Sequence, residues 1–196
     1  SHRSGGRRMS RRSTIAIIGD AGVKPHSSAY NAARDLGTLA IDHGFRIVTG
    51  GLGGVMEAAC LGAHESSVYR EGDTIGILPQ DDPNQANPWV DISIATGINH
   101  ARNALVANAD AVVAVGGGAG TLSEIAFAWT SRRLVVALDV PGWGSRLAGT
   151  LLDQRVRYCD IPDDQIFPAA SPAAAIALIV ERLPMYCRWG RSFKST

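Results

Sequence analysis

Glycine fills four of the five positions from Gly116 to Gly120, and Thr121 and Glu124 follow in the run Gly116-Gly117-Gly118-Ala119-Gly120-Thr121-Leu122-Ser123-Glu124. The apolar, β-branched stretch Ala111-Val112-Val113-Ala114-Val115 before it reads as a buried strand of a parallel sheet. After it, Leu122, Ile125, Ala126 and Trp129 have the spacing of one helix face. The glycines therefore lie in a strand-to-helix turn. Such a turn offers unpaired backbone N–H groups at a helix N-terminus, where the helix dipole also favours negative charge. Residues without a Cβ let that backbone approach a ligand closely. A phosphate held by Gly117, Gly118, Gly120 and Thr121 is the chemistry this pattern suits.

A plainer reading exists. Thr121-x-x-Glu124 fits a capping box, in which the two side chains satisfy helix N–H groups without any ligand. Four glycines exceed what a tight turn needs, which favours a ligand site. No Gly-Lys-Ser/Thr follows, so this is not a P-loop. Thr121 stands where the last glycine of Gly-x-Gly-x-x-Gly would be, and only Asp139 after the next strand keeps a dinucleotide reading open.

A second glycine-rich turn, Thr49-Gly50-Gly51-Leu52-Gly53-Gly54, leaves the strand Phe45–Val48 and enters a helix through Met56, Ala59, Cys60 and Ala63. Gly50, Gly51 and Gly53 are its candidate ligand positions, with Gly19 at the end of the first strand, Ile15–Ile18. Arg102 lies on an expected helix from Asn99 to Ala109, on the face of Leu105, Val106 and Ala109. Its stem can pack while the guanidinium reaches water, or the guanidinium can grip an anion bidentately. Glu57 suits a helix N-terminus, and Asp81-Asp82 reads as solvated charge. His26 and His100 lack metal-ligand spacing, and no Ser-His-Asp arrangement or metal cluster is evident.

Positioning these residues requires a particular scaffold. Strands at 15–18, 45–48, 74–78, 111–115 and 134–138 alternate with helices, the first from Ser27 or Ser28 to about His43 with Gly44 ending it. Val90 to Ala95 alternates apolar and polar residues and reads as a strand nearer an edge. A short helix is expected at Leu147–Leu151 and a last one from Ser171 or Pro172, burying Ala175, Ile176, Ile179 and Leu183. The alternation predicts a Rossmann-like, doubly wound three-layer α/β sandwich with a mostly parallel sheet. Loops after Ile18, Val48, Ala95 and Val115 then border one cleft.

A length of 196 residues suits one domain, spanning residues 14–184. Residues 1–13 read as a disordered basic extension and residues 185–196 as a mixed aromatic and basic tail. The net charge of +1 gives no argument for nucleic acid. No apolar run approaches the roughly 20 residues of a membrane span. Cys60, Cys159 and Cys187 form no Cys-x-x-Cys pair and suit reduced thiols in the cytoplasm. Trp129 is a candidate exposed apolar residue at a subunit interface.

The chain resembles the nucleotide-binding superfamily that contains the "lonely guy" cytokinin-activating enzymes, known for Pro-Gly-Gly-x-Gly-Thr-x-x-Glu. That motif stands here at Gly116 to Glu124, with Gly116 in place of proline. The resemblance runs from about Thr14 to Leu183. The segments Ile75-Gly76-Ile77-Leu78-Pro79, Val90 to Gly97 and Ala101-Arg102-Asn103 resemble the molybdenum cofactor carrier branch more than the phosphoribohydrolases. A carrier would bind the pterin cofactor and its terminal phosphate without chemistry. A phosphoribohydrolase would cleave the N-glycosidic bond of a nucleoside 5′-monophosphate, with Glu124 and Arg102 as catalytic residues. The resemblance also implies a homodimer or homotetramer, and a nucleotide-sensing oligomer is a third reading. Relatives carry a lysine decarboxylase label, but Lys24 and Lys194 are the only lysines and neither lies on a glycine turn. Pyridoxal phosphate chemistry has little support.

Overall fold

The computed structural model describes residues 11–186. In order, the chain forms β1 (Thr14–Gly19), α1 (Ser28–Asp42), β2 (Arg46–Thr49), α2 (Val55–Glu65), β3 (Thr74–Leu78), β4 (Ile92–Ala95), α3 (Asn103–Val106), β5 (Ala111–Val115), α4 (Ala119–Thr130), β6 (Leu134–Leu138), α5 (Trp143–Leu147), β7 (Phe167–Ala169) and α6 (Pro172–Tyr186). Two 3-10 helices, Pro83–Gln85 and Asn99–Arg102, flank β4. The seven strands pair in the order β4-β3-β2-β1-β5-β6-β7, every pair parallel.

Strand alternation sorts the core into two layers. Ile15, Ile17, Ile47, Val113 and Val136 pack with Leu36 of α1, Ala59 of α2 and Ile176 of α6. Ala16, Ile18, Val48, Val112 and Val135 face the other way, onto Val106 of α3 and Ile125 and Ala128 of α4, with Leu147 of α5 beside them. The result is the Rossmann-like α/β sandwich that the sequence predicts. Ser27 caps α1, its side chain accepting from the Tyr30 N–H, and Gly44 takes the left-handed conformation (φ +82°) just beyond it. No helix among the described residues is long and apolar enough to cross a membrane.

Four local expectations are corrected. The single helix at Asn99–Ala109 is instead a 3-10 turn followed by the one-turn α3. Asn99, with a positive φ of 50°, lies outside the right-handed α region, so the segment opens as a 3-10 turn and not as an α-helix, and the Asp110 N–H is drawn to the Thr14 carbonyl at the start of β5. The short helix expected at Leu147–Leu151 lies earlier, at Trp143–Leu147, because Gly142 starts it. β7 was not read from sequence; its Pro168 is tolerated because the strand lies at the sheet edge. Met185 and Tyr186, expected in the tail, still belong to α6.

Residues 1–10 of the basic extension and 187–196 of the tail, with Cys187 and Lys194, lie outside the described residues. Arg11 and Arg12 are placed: they pair with Asp110 at 2.7 Å and Asp73 at 2.6 Å, below the starts of β5 and β3. A cavity of about 360 Å³ sits at this same end, among Arg12, Ile41, Asp42, Gly44, Val68 and Arg70. The glycine turns are at the opposite end of the strands.

Candidate functional site

Strand order reverses between β1 and β5, since chain succession runs outward from β1 in one direction and from β5 in the other. Ligands of open α/β sheets bind at the carboxyl ends of strands at such a switch. The loops leaving β1 and β5 are Gly19-Asp20-Ala21 and Gly116-Gly117-Gly118.

The turn after β5 is held from one side. The Gly144 N–H donates to the Gly116 carbonyl at 3.0 Å, and the Trp143 N–H to the Gly117 carbonyl at 2.9 Å. In a trans peptide the carbonyl and the following N–H point in opposite directions. The N–H groups of Gly117 and Gly118 are therefore turned away from α5. Gly118 is the N-cap of α4 and makes no side-chain capping bond, and a Cβ added at Gly118 or Gly120 would meet nothing within 4 Å. The first turn of a 12-residue helix thus opens onto free space, with N–H donors that have no partner within the helix.

The capping box does not form. Thr121 lies inside α4, buried against Gly117, whose φ of +94° and missing Cβ make room for it. Glu124 turns inward instead. Its Oε1 is 3.5 Å from Nη1 of Arg102, and both side chains are more than nine-tenths buried. Arg102 therefore takes neither the fully solvated nor a tightly paired state: its Nε is buried with no hydrogen-bond partner. Burial pushes the Glu124 carboxyl up to about 7, against the opposing pull of Arg102. Burial also lowers the affinity of Arg102 for its proton, although a guanidinium stays charged at any ordinary pH.

The second glycine turn makes room for protein groups, the Arg102 guanidinium among them. A Cβ at Gly50 would lie 2.4 Å from Nη1 and 2.6 Å from Nη2 of Arg102, so Gly50 is the seat of the guanidinium. Gly51 (φ +76°) abuts Leu78 and the backbone of Gly76. A Cβ at Gly53 would lie 3.4 Å from the Ala21 carbonyl oxygen, beside the loop from β1. A Cβ at Gly19 would lie 2.7 Å from both the Val115 carbonyl oxygen and the Val55 side chain, so its absence lets β1, β5 and α2 close together. Of the glycines singled out, Gly118 and Gly120 are the ones that face open space. Gly50, Gly51, Gly19 and Gly117 each make room for a protein group.

Two further groups support the turn, and neither announces that role by its spacing in the sequence. Asn103, buried next to Arg102, donates to Ser123 Oγ at 2.9 Å, and that hydroxyl donates to the Gly120 carbonyl at 2.6 Å, tying α3 to the first turn of α4. Gly142 (φ +148°) lies so close to the Gly116–Gly117 peptide that no side chain fits there. Gly116 itself has φ +60°. Proline, fixed near −65°, cannot take that conformation, so the departure from the phosphoribohydrolase motif is built into the backbone here.

Other singled-out residues lie apart from the pair. His26, His100, Asp139 and Asp81 are exposed, while Asp82 caps the 3-10 helix at Pro83 through the Asn84 N–H. Cys60 is buried beside Thr49, its thiol pushed up to about 12 by burial, so it is inert at neutral pH. Cys159 is exposed. Trp129 is not a surface residue: it is 3% exposed and lies 3.6 Å beneath the Arg157 guanidinium.

With this geometry in view, known proteins are informative. The molybdenum cofactor binding protein of Rippkaea orientalis superposes with a TM-score of 0.70 at 32% identity, over 87% of this chain and 97% of its own. The molybdenum cofactor carrier protein of Chlamydomonas reinhardtii gives 0.70 at 30% identity, over 89% and 99%. An uncharacterised protein of Archaeoglobus fulgidus is 39% identical over 148 residues, 74% of this chain and 93% of that protein. The model of the SLOG cluster4 family matches residues 12–176, and the chain belongs to that family.

Proposed function

We propose that the chain binds a small molecule through a terminal phosphate at the start of α4, and that the ligand is the molybdenum cofactor, carried without chemical change. The observation that carries this reading is a pairing: an open helix N-terminus with unused N–H donors, next to a buried arginine whose Nε has no partner. A buried donor left unpaired costs free energy that an anionic guest recovers. The site fits a phosphate group on those grounds, and proteins of similar fold are a molybdenum cofactor binding protein and a molybdenum cofactor carrier protein. Gly117, Gly118, Gly120 and Thr121 would cradle the phosphate, and Arg102 would face it, in a cytoplasmic protein.

A second reading is favoured by one observation. Glu124, poised near neutrality in a buried site, has the proton affinity of a general acid or base. That suits a phosphoribohydrolase, whereas Gly116 in place of proline speaks for the carrier.

Native mass spectrometry of freshly purified protein, with a ribose 5-phosphate release assay on nucleoside 5′-monophosphates, separates the two. A co-purifying pterin without turnover is expected, together with at least tenfold weaker binding in Arg102→Ala, as for a lost charge-assisted contact. Turnover that depends on Glu124 would replace the carrier by the hydrolase. Undiminished binding by Arg102→Ala would overturn the phosphate site.

We also propose that a second copy of the chain covers the outer side of α4. Its exposed residues Ala119, Ala126, Phe127 and Thr130 carry no charge, and Leu105 on neighbouring α3 is 49% exposed. A surface helix ordinarily turns charged residues to water, and an uncharged apolar face is complementary to itself.

A further inference from the structure

The pair that faces the proposed anion site already contains an anion. Glu124 stands within 3.5 Å of the guanidinium that a phosphate would use, so ligand and carboxylate compete for one positive charge, at a pair whose own side chains are more than nine-tenths buried beside the open turn. We propose that the site takes up one proton with its anion: Glu124 is protonated as the anion binds to Arg102, and it gives the proton back when the anion leaves. This inference rests on the phosphate-binding reading above.

Among the described residues, the surroundings leave Arg102 as the compensating charge. α4 packs against β1, β5, β6, α3 and α5. The three strands and α3 carry no titratable residue. On α5 the charged side chain is Arg146, which lies over the Trp143 ring, and on the 3-10 turn before α3 His100 is exposed. From the neighbouring loops, Asp20 is exposed and accepts the Gly22 N–H. Glu57 of α2 lies beside Gly53, its Oε2 3.9 Å from the position of an added Cβ. Among the described residues, Arg102 is the charge that acts on the Glu124 carboxyl.

With Glu124 ionised, an arriving anion makes two negative groups around one guanidinium, in surroundings that screen them poorly. With Glu124 protonated, Arg102 is free for the anion and the carboxyl can itself donate a hydrogen bond. The proton comes from solvent, and Arg102 keeps its own throughout. The sign follows from linkage. Bound anion raises the proton affinity of Glu124, so binding is tight below neutrality and weakens as pH rises above it, approaching tenfold per pH unit. The carrier would thus release its cargo more readily where the pH is higher.

Inorganic sulfate is the probe, because it stays a dianion across this range and brings no proton of its own. Calorimetric titration of the full chain at pH 8, in two buffers of different ionisation heat, should give an uptake near one proton per anion. Sulfate affinity should fall from pH 7 to pH 8.5. In Glu124→Gln the uptake should vanish, the affinity should be flat with pH, and binding at pH 8 should be about tenfold tighter than in the native chain. Buffer-independent heats with a pH-flat affinity in the native chain would overturn the inference and leave the anion site standing. Failure of sulfate to bind either protein would overturn both. Should the variant not fold, the native series alone decides.

Discussion

Glu124 also makes folding itself sensitive to pH. Its carboxyl is held up to about 7 in the folded chain, against an ordinary value of 4.5. Between those values the folded state keeps a proton that the unfolded state has lost. Stability therefore falls as pH rises from about 4.5 to 7 and is level above that, a change on the order of 3 kcal/mol. Denaturant melts at pH 5 and pH 8 should show this slope in the native chain, and Glu124→Gln should remove it by being relatively more stable at pH 8. An equal slope in both proteins would mean that other groups govern it. The two arms of the pair were legible as residue types: an arginine and a glutamate near glycine turns. Their mutual burial was not, because Thr121-x-x-Glu124 also spells a capping box, and only the placement of Gly118 as N-cap turns Glu124 inward.

At the scale of elements, close helix contact explains both what could and what could not be read. α1 and α2 meet backbone to backbone through two glycines: a Cβ at Gly62 would lie 1.8 Å from the Arg34 carbonyl, and one at Gly37 2.0 Å from the Ala59 carbonyl. Gly62→Ala gains about 1 kcal/mol of helix propensity, but it must push the two helices apart. Overpacking of this kind costs about 1–3 kcal/mol, and backbone cannot rotate aside as a side chain can, so the upper part of that range applies. A net loss of about 1–2 kcal/mol is expected in urea unfolding, and unchanged stability would show that the helices separate freely. A sequence gives no sign of such contacts, since glycine inside a helix reads as a weak position. On α1, Leu36 and Ala40 face the core together with Ala33, Gly37 and Ile41, while Ala32 and Leu39 are only partly buried. The strands were legible because their apolar runs are short and β-branched, and β4 was recognised as an edge by its alternation, although Ile92 and Ile94 point to the more exposed side. Asn99–Ala109 was misjudged because its apolar spacing is helical while the backbone at Asn99 is left-handed.

The whole molecule is uneven in a way that bears on assembly. On the layer of α1, α2 and α6, charged residues such as Asp35, Asp42, Glu65 and Glu181 are exposed. On the opposite layer, α4 exposes no charged side chain, and its one carboxylate is buried on Arg102. A surface helix ordinarily turns charge to water, and the proposed two-fold partner would account for the lack of it here. Phe127 (42% exposed) sits one turn beyond Glu124, so the same contact would bring the partner to the rim of the candidate site. An aspartate at position 127 would be harmless in a monomer but would bury charge against charge in a symmetric pair. Sedimentation should find the native chain as an oligomer and Phe127→Asp at a mass near 20.6 kDa. Val180→Asp makes the matching change on α6, at 48% exposure on the other layer, and should leave the assembly intact. A native chain that sediments as a monomer, or an assembly lost equally in both variants, would remove α4 as the interface. Loss in Phe127→Asp alone would place the subunit contact on the layer that also carries the Arg102–Glu124 pair.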